Sequence, residues 1–193
     1  MSTPLSDAFD ARRRGFEEEY FRTKDAQLVD KLKRVFLSKL DKEELRKKAN
    51  ITNEEVLDRL VAINVRGELL TAFKLYPLVE IAWADGKVDD RETRAVLDAA
   101  VKFGVPREGA AIQGLEAWLK RGPTKDGRAA WHAFAADLRN TLTPEELGTF
   151  RKDLVRAAKT VAEASGGFLG MVFQISPAEE RVLHALEQAL TST

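Results

Sequence analysis

Ile81-Ala-Trp-Ala-Asp-Gly-Lys-Val-Asp-Asp-Arg-Glu92 is the stretch that decides how the chain folds. Just upstream, Leu69, Leu70, Phe73, Leu75, Tyr76, Leu78, Val79, Ile81 and Trp83 point almost all round one helical wheel. A helix apolar on every side is a buried one, so residues 66–84 read as the central helix of the fold. It stops at Asp85-Gly86, because glycine readily takes the left-handed conformation past a helix end. A new helix starts at Asp89, with Glu92 three residues on. That is the spacing of a capping box, in which the cap side chain accepts from a free amide and the glutamate reaches back. Pro77, inside the apolar run, predicts a bend or a lost backbone bond near residue 73.

Working outward, the chain reads as helices divided by start and stop signals. Residues 53–63 carry Val56, Leu57, Leu60 and Val61, and residues 90–103 carry Val96, Ala99, Ala100 and Phe103. Gly104 and Pro106 end the second of these. Residues 107–120, 126–141 and 144–164 repeat the amphipathic pattern, and Ser176-Pro177-Ala178-Glu179 opens a last helix. Asp41 with Glu44, Thr52 with Glu55 and Thr143 with Glu146 have capping spacing. No stretch alternates with the period of a strand. The expected fold is an all-α multi-helix bundle of about eight or nine helices. Residues 1–50 read as a charged amphipathic arm and 51–193 as the helical domain. Phe9, Phe16, Tyr20, Leu28, Leu32, Val35, Phe36 and Leu40 form one stripe along the arm. A helix that long needs something to lie against.

Composition narrows the function. The 193 residues hold 31 Lys+Arg against 31 Asp+Glu, and nucleic-acid binding needs a basic excess, so no nucleic-acid partner is expected. No apolar run reaches the length of a membrane span. With no signal-peptide pattern at the N-terminus, a cytoplasmic location is expected. The absence of cysteine excludes disulfides, thiolate metal sites and Cys nucleophiles.

The deciding stretch has a second copy. Ile81-Ala-Trp-Ala-Asp-Gly86 aligns with Val161-Ala-Glu-Ala-Ser-Gly166, and Val88-Asp-Asp-Arg-Glu92 with Ile175-Ser-Pro-Ala-Glu179. In each, an Ala-rich helix ends at Gly, and a capped helix follows an aliphatic residue placed to act as a staple. Two such units predict pseudo-twofold packing. The repeated Ala-x-Ala-Asp-Gly-x-(hydrophobic)-x-x-x-Glu pattern resembles the TerB-like tellurite-resistance family over residues 60–191. That resemblance implies a compact helical bundle, a link to tellurite-type stress response, and a divalent cation at Asp85, Asp89 and Glu92. The second copy departs from the pattern, with Ser165 in place of the aspartate. The arm's Phe9-Asp-x-Arg-x-x-x-Phe16-Glu17 resembles the opening of the zeta-type inhibitor subunit of bacterial ATP synthases.

Two readings of Asp85, Asp89 and Glu92 stand side by side. Asp85-Gly86-x-Val88-Asp89-x-x-Glu92 matches the second half of an EF-hand loop, so Ca²⁺ or Mg²⁺ is one candidate occupant. Ile81 and Trp83 sit where the first two EF-hand carboxylates would be, which rules out a full EF-hand. The other reading is purely architectural: Gly86 ends one helix, while Asp89 and Glu92 start the next. Only Asp85, an anion at a helix C-terminus, is left without a structural reason. The Gly166–Phe173 loop offers Phe168, Leu169 and Phe173 as a protein-partner or homodimer contact. His132 and His184 have no ligand or triad spacing, and no nucleophile elbow or dinucleotide fingerprint occurs. The expectation is a non-enzymatic helical interaction protein. The alternative is a regulatory module whose N-terminal helix docks on a larger machine.

Overall fold

In the computed structural model the described residues are Lys24, 27–28, 30–35, 37–48, 51–165 and 175–191. Every regular element among them is helical, and the fold is an all-α multi-helix bundle. The chain divides into two compact units, Met1–Asp41 and Lys42–Thr193. In the first unit, Leu28, Leu32, Val35, Leu37 and Leu40 lie on helical backbone and are 46–59% exposed.

The second unit opens with α1 (42–48), the end of a helical stretch that runs through 37–48, followed by α2 (Glu54–Ala62), α3 (Leu69–Phe73), α4 (Tyr76–Ala82) and α5 (Asp90–Lys102). Then come α6 (Ala110–Arg121), α7 (Lys125–Thr141), α8 (Pro144–Ser165) and α9 (Pro177–Ala189). The sequence pattern puts the arm's end at residue 50, but residues 42–48 fall in the larger unit. Leu45 is fully buried in its core. Lys42 pairs with Glu54 at 3.3 Å and with Asp58, and Arg46 pairs with Glu54, so charges hold α1 to α2. Asp41 and Glu44, which have the spacing of a helix start, are both on helical backbone. Asn53 rather than Thr52 caps α2, accepting from the Glu55 and Val56 amides at 2.9 and 3.4 Å.

The predicted disruption near residue 73 is a full break. α3 ends at Phe73, and α4 restarts with Pro77 in its first turn. An amide is dispensable there, and the ring's fixed φ suits a helix start. The carbonyl of half-buried Lys74 accepts from the Trp131 indole at 3.3 Å, and the buried Tyr76 hydroxyl accepts from the Thr124 amide at 2.9 Å. Phe73, Tyr76, Trp118 and Phe134 close the cluster, with ring centroids 5.5–6.2 Å apart.

α4 is the hub, packing on α5, α6, α7, α8 and α9. The repeated units are α4–α5 and α8–α9. α4 packs on α8, while α5 packs on α8 and α4 on α9. Exchanging one unit for the other maps α5–α8 onto α4–α9, which is the pattern of a pseudo-twofold.

Gly127 lies in the first turn of α7, where Ala would ordinarily favour the helix by up to about 1 kcal/mol. Here a Cβ would run into the Tyr76 phenol, which is buried and tied to Thr124. Gly127→Ala is therefore expected to destabilise the fold by about 1–3 kcal/mol, the scale of an overpacked core. Urea unfolding measures it, and a rise in midpoint would show that the phenol yields freely.

The Asp-Gly loop and its buried glutamates

α4 runs out at Ala82 with Trp83 as its C-cap, and the Gly86 amide donates to the Trp83 carbonyl at 3.0 Å. Gly86 has φ +90, in the left-handed region the sequence requires. The half-buried Trp83 is anchored by its indole N–H, which donates to the Leu119 carbonyl at 2.8 Å. Asp85 is exposed, and its Oδ1 accepts from the Lys87 amide at 3.1 Å. That is an Asx turn, in which a short side chain stands in for backbone and tightens a reversal. It supplies the structural reason that helix-dipole considerations alone do not give for Asp85.

Asp89 caps α5. Its Oδ1 accepts from the Arg91 and Glu92 amides at 2.7 and 2.9 Å, while Glu92 Oε2 accepts from the Asp89 amide at 2.8 Å. The box is complete, and Val88 packs against the core beside it. At the second copy, Ser176 caps α9: its Oγ accepts from the Glu179 amide at 3.2 Å, and Glu179 Oε2 accepts from the Ser176 amide at 2.6 Å. Ile175 packs there as Val88 does in the first copy.

The two copies bring their third helical residues into the interior. Glu92 and Glu179 are each only 4% exposed. Burial pushes the Glu92 carboxyl up to about 7. The Asp89 amide pulls the other way, and the negative charges of Asp89, Asp85 and Glu179 add to the rise. Glu92 thus holds its proton more tightly folded than unfolded. Its contribution to stability is full below about pH 4.5, declines as pH rises, and is lost above about 7. Glu92→Gln keeps a carbonyl for the Asp89 amide and removes the charge. The variant is expected to match the parent at pH 4 and to exceed it at pH 8 by roughly 1–2 kcal/mol, less than the full shift because solvent screens the neighbouring charges. Unfolding curves at the two pH values decide it, and equal stability at pH 8 would contradict the shift.

The donor set does not fit a divalent cation well. Asp85, Asp89 and Glu92 each commit an oxygen to a backbone amide, and burial raises the Glu92 carboxyl, disfavouring the anion a cation would need. Among the described residues no three His, Asp or Glu side chains are placed to hold a metal ion together. Phe168, Leu169 and Phe173 lie outside the described residues. His132 is exposed and rests edge-on against Trp131 at 5.7 Å, and His184 lies 2.9 Å from the Gln188 amide on its own helix.

Beside the loop, a groove of about 550 Å³ has Trp83, Val88, Leu97 and Leu119 along its apolar surface and Lys87 and Lys120 among its charged residues. Sequence alone does not reveal this groove. It also misses the electrostatic influence of Glu179 on Glu92, although their equivalent positions in the repeat are the available signal. No protein-family model, curated protein or solved structure matches the chain.

Proposed function

We propose that the chain is a non-enzymatic helical interaction module of TerB-like type, linked to stress response. In this reading the Asp85–Glu92 loop is architectural: its carboxylates hold helix ends, and partners bind on the grooves it shapes. The doubled capped unit supports the resemblance, since both copies build the same box and direct the same glutamate inward. The groove between Trp83 and Leu119 carries the interaction reading. It combines an apolar surface with a charged rim, the make-up of a protein-binding patch.

A photo-crosslinking amino acid at exposed Lys120 tests this in extract from the native host. A discrete crosslinked protein is expected from position 120 and not from exposed Lys125 on α7. Identical patterns from the two positions would refute use of this groove.

The alternative, a regulatory module docking through its N-terminal helix, is favoured by one observation. Leu28, Leu32, Val35, Leu37 and Leu40 remain about half exposed on the first unit. It predicts that Leu28→Ser/Leu32→Ser abolishes partner capture and leaves the melting temperature unchanged.

A further inference from the structure

A second groove, lined by a different set of α5 residues, lies between α5 and α8, with a volume of about 630 Å³. On α5 it is lined at positions 91, 94, 95, 98, 99, 102 and 103, which is one continuous helical stripe. Twelve residues of rise make it roughly 18 Å long. Its floor is Ala95, Ala99, Phe103 and Ala157, mostly small residues that let another backbone come close. Arg91, Arg94, Lys102 and Arg156 stand on it against two carboxylates, Asp98 and Asp153. Asp153 is taken by Arg156 at 3.5 Å. Among the described residues Arg91, Arg94 and Lys102 make no ion pair, although the chain as a whole is neutral.

We infer that the α5–α8 groove binds an acidic amphipathic helix of a partner protein. The length of the stripe suits a rod of three to four turns. The small apolar floor suits an Ala/Leu face set at i, i+3, i+4 and i+7. The unpaired cations match carboxylates flanking that face and set its orientation. A compact anion would meet only one or two of the cations and leave the apolar floor uncovered. This site is separate from the loop-side groove, and either can stand without the other.

The test uses the full chain and a fluorescein-labelled 18-residue peptide, with an Ala/Leu stripe flanked by Glu. Polarisation titrations should show saturable binding that weakens with salt. Replacing every Glu by Gln should weaken it about tenfold or more, the scale of a few close charge pairs. Arg94→Glu/Lys102→Glu alters two exposed side chains, so the bundle should keep its melting temperature. That variant should lose the Glu peptide to a similar degree and gain binding to the same peptide carrying Lys in place of Glu. Four results would each overturn the inference. These are no binding at millimolar peptide, equal binding of Glu and Gln peptides, and charge reversal without effect. The fourth is equally tight binding of anionic vesicles or a DNA duplex that the reversal also abolishes.

Discussion

Trp131→Ala is expected to cost the bundle about 3–5 kcal/mol, the range for removing a large aromatic side chain from a packed core. Trp131 is the largest of the fully buried side chains, at 2% exposure. Its loss opens a cavity that the surrounding helices fill only partly. It also removes the indole N–H that serves the Lys74 carbonyl at the break between α3 and α4. Lys74 is half-buried, so its carbonyl left without the donor adds a smaller penalty of its own. Trp131→Phe separates the two effects, because it keeps most of the volume and loses the donor. Chemical denaturation of the three proteins should rank them parent, Phe, Ala. A Phe variant as stable as the parent would show that the Lys74 bond contributes nothing.

Leu45→Ala should destabilise by about 2–5 kcal/mol, while Leu32→Ala should change stability by less than about 0.5 kcal/mol. By sequence both are leucines in what reads as one charged helical arm. By structure Leu45 is fully buried in the core of the larger unit, and Leu32 is 59% exposed. The contrast places the start of the folded body at α1 rather than after residue 50. Guanidinium unfolding of the two variants measures it, and similar losses at both positions would contradict that boundary.

The helices are legible in the sequence because their apolar spacing and their stop signals agree locally. Gly86, Asp89 and Glu92 do what their spacing says, and so do Thr143 and Ser176. Those are short-range relations, fixed within one turn of chain. Asp41 and Thr52 show the limit of that argument. A capping spacing occurs at both, yet residue 41 lies within a helix, and Asn53, one position after Thr52, takes the cap of α2. Asp85 is puzzling in the sequence because its partner is a backbone amide, which a reading by side-chain type passes over. The electrostatic influence of Glu179 on Glu92 and the unpaired cations between α5 and α8 arise from tertiary packing. A helical wheel places Arg91, Arg94 and Lys102 on one face, but it does not say that α8 lies alongside that face.

The central claim is that the carboxylates of the Asp85–Glu92 loop hold helices rather than a cation. The most direct test is the melting temperature of the full chain at pH 7.5 across a titration to 10 mM Ca²⁺ or Mg²⁺, with Asp85→Asn in parallel. The account predicts a flat response in both proteins, within about 1 °C, because a cation that does not bind the folded state cannot stabilise it. A saturable rise of several degrees in the parent, absent from Asp85→Asn, would contradict it.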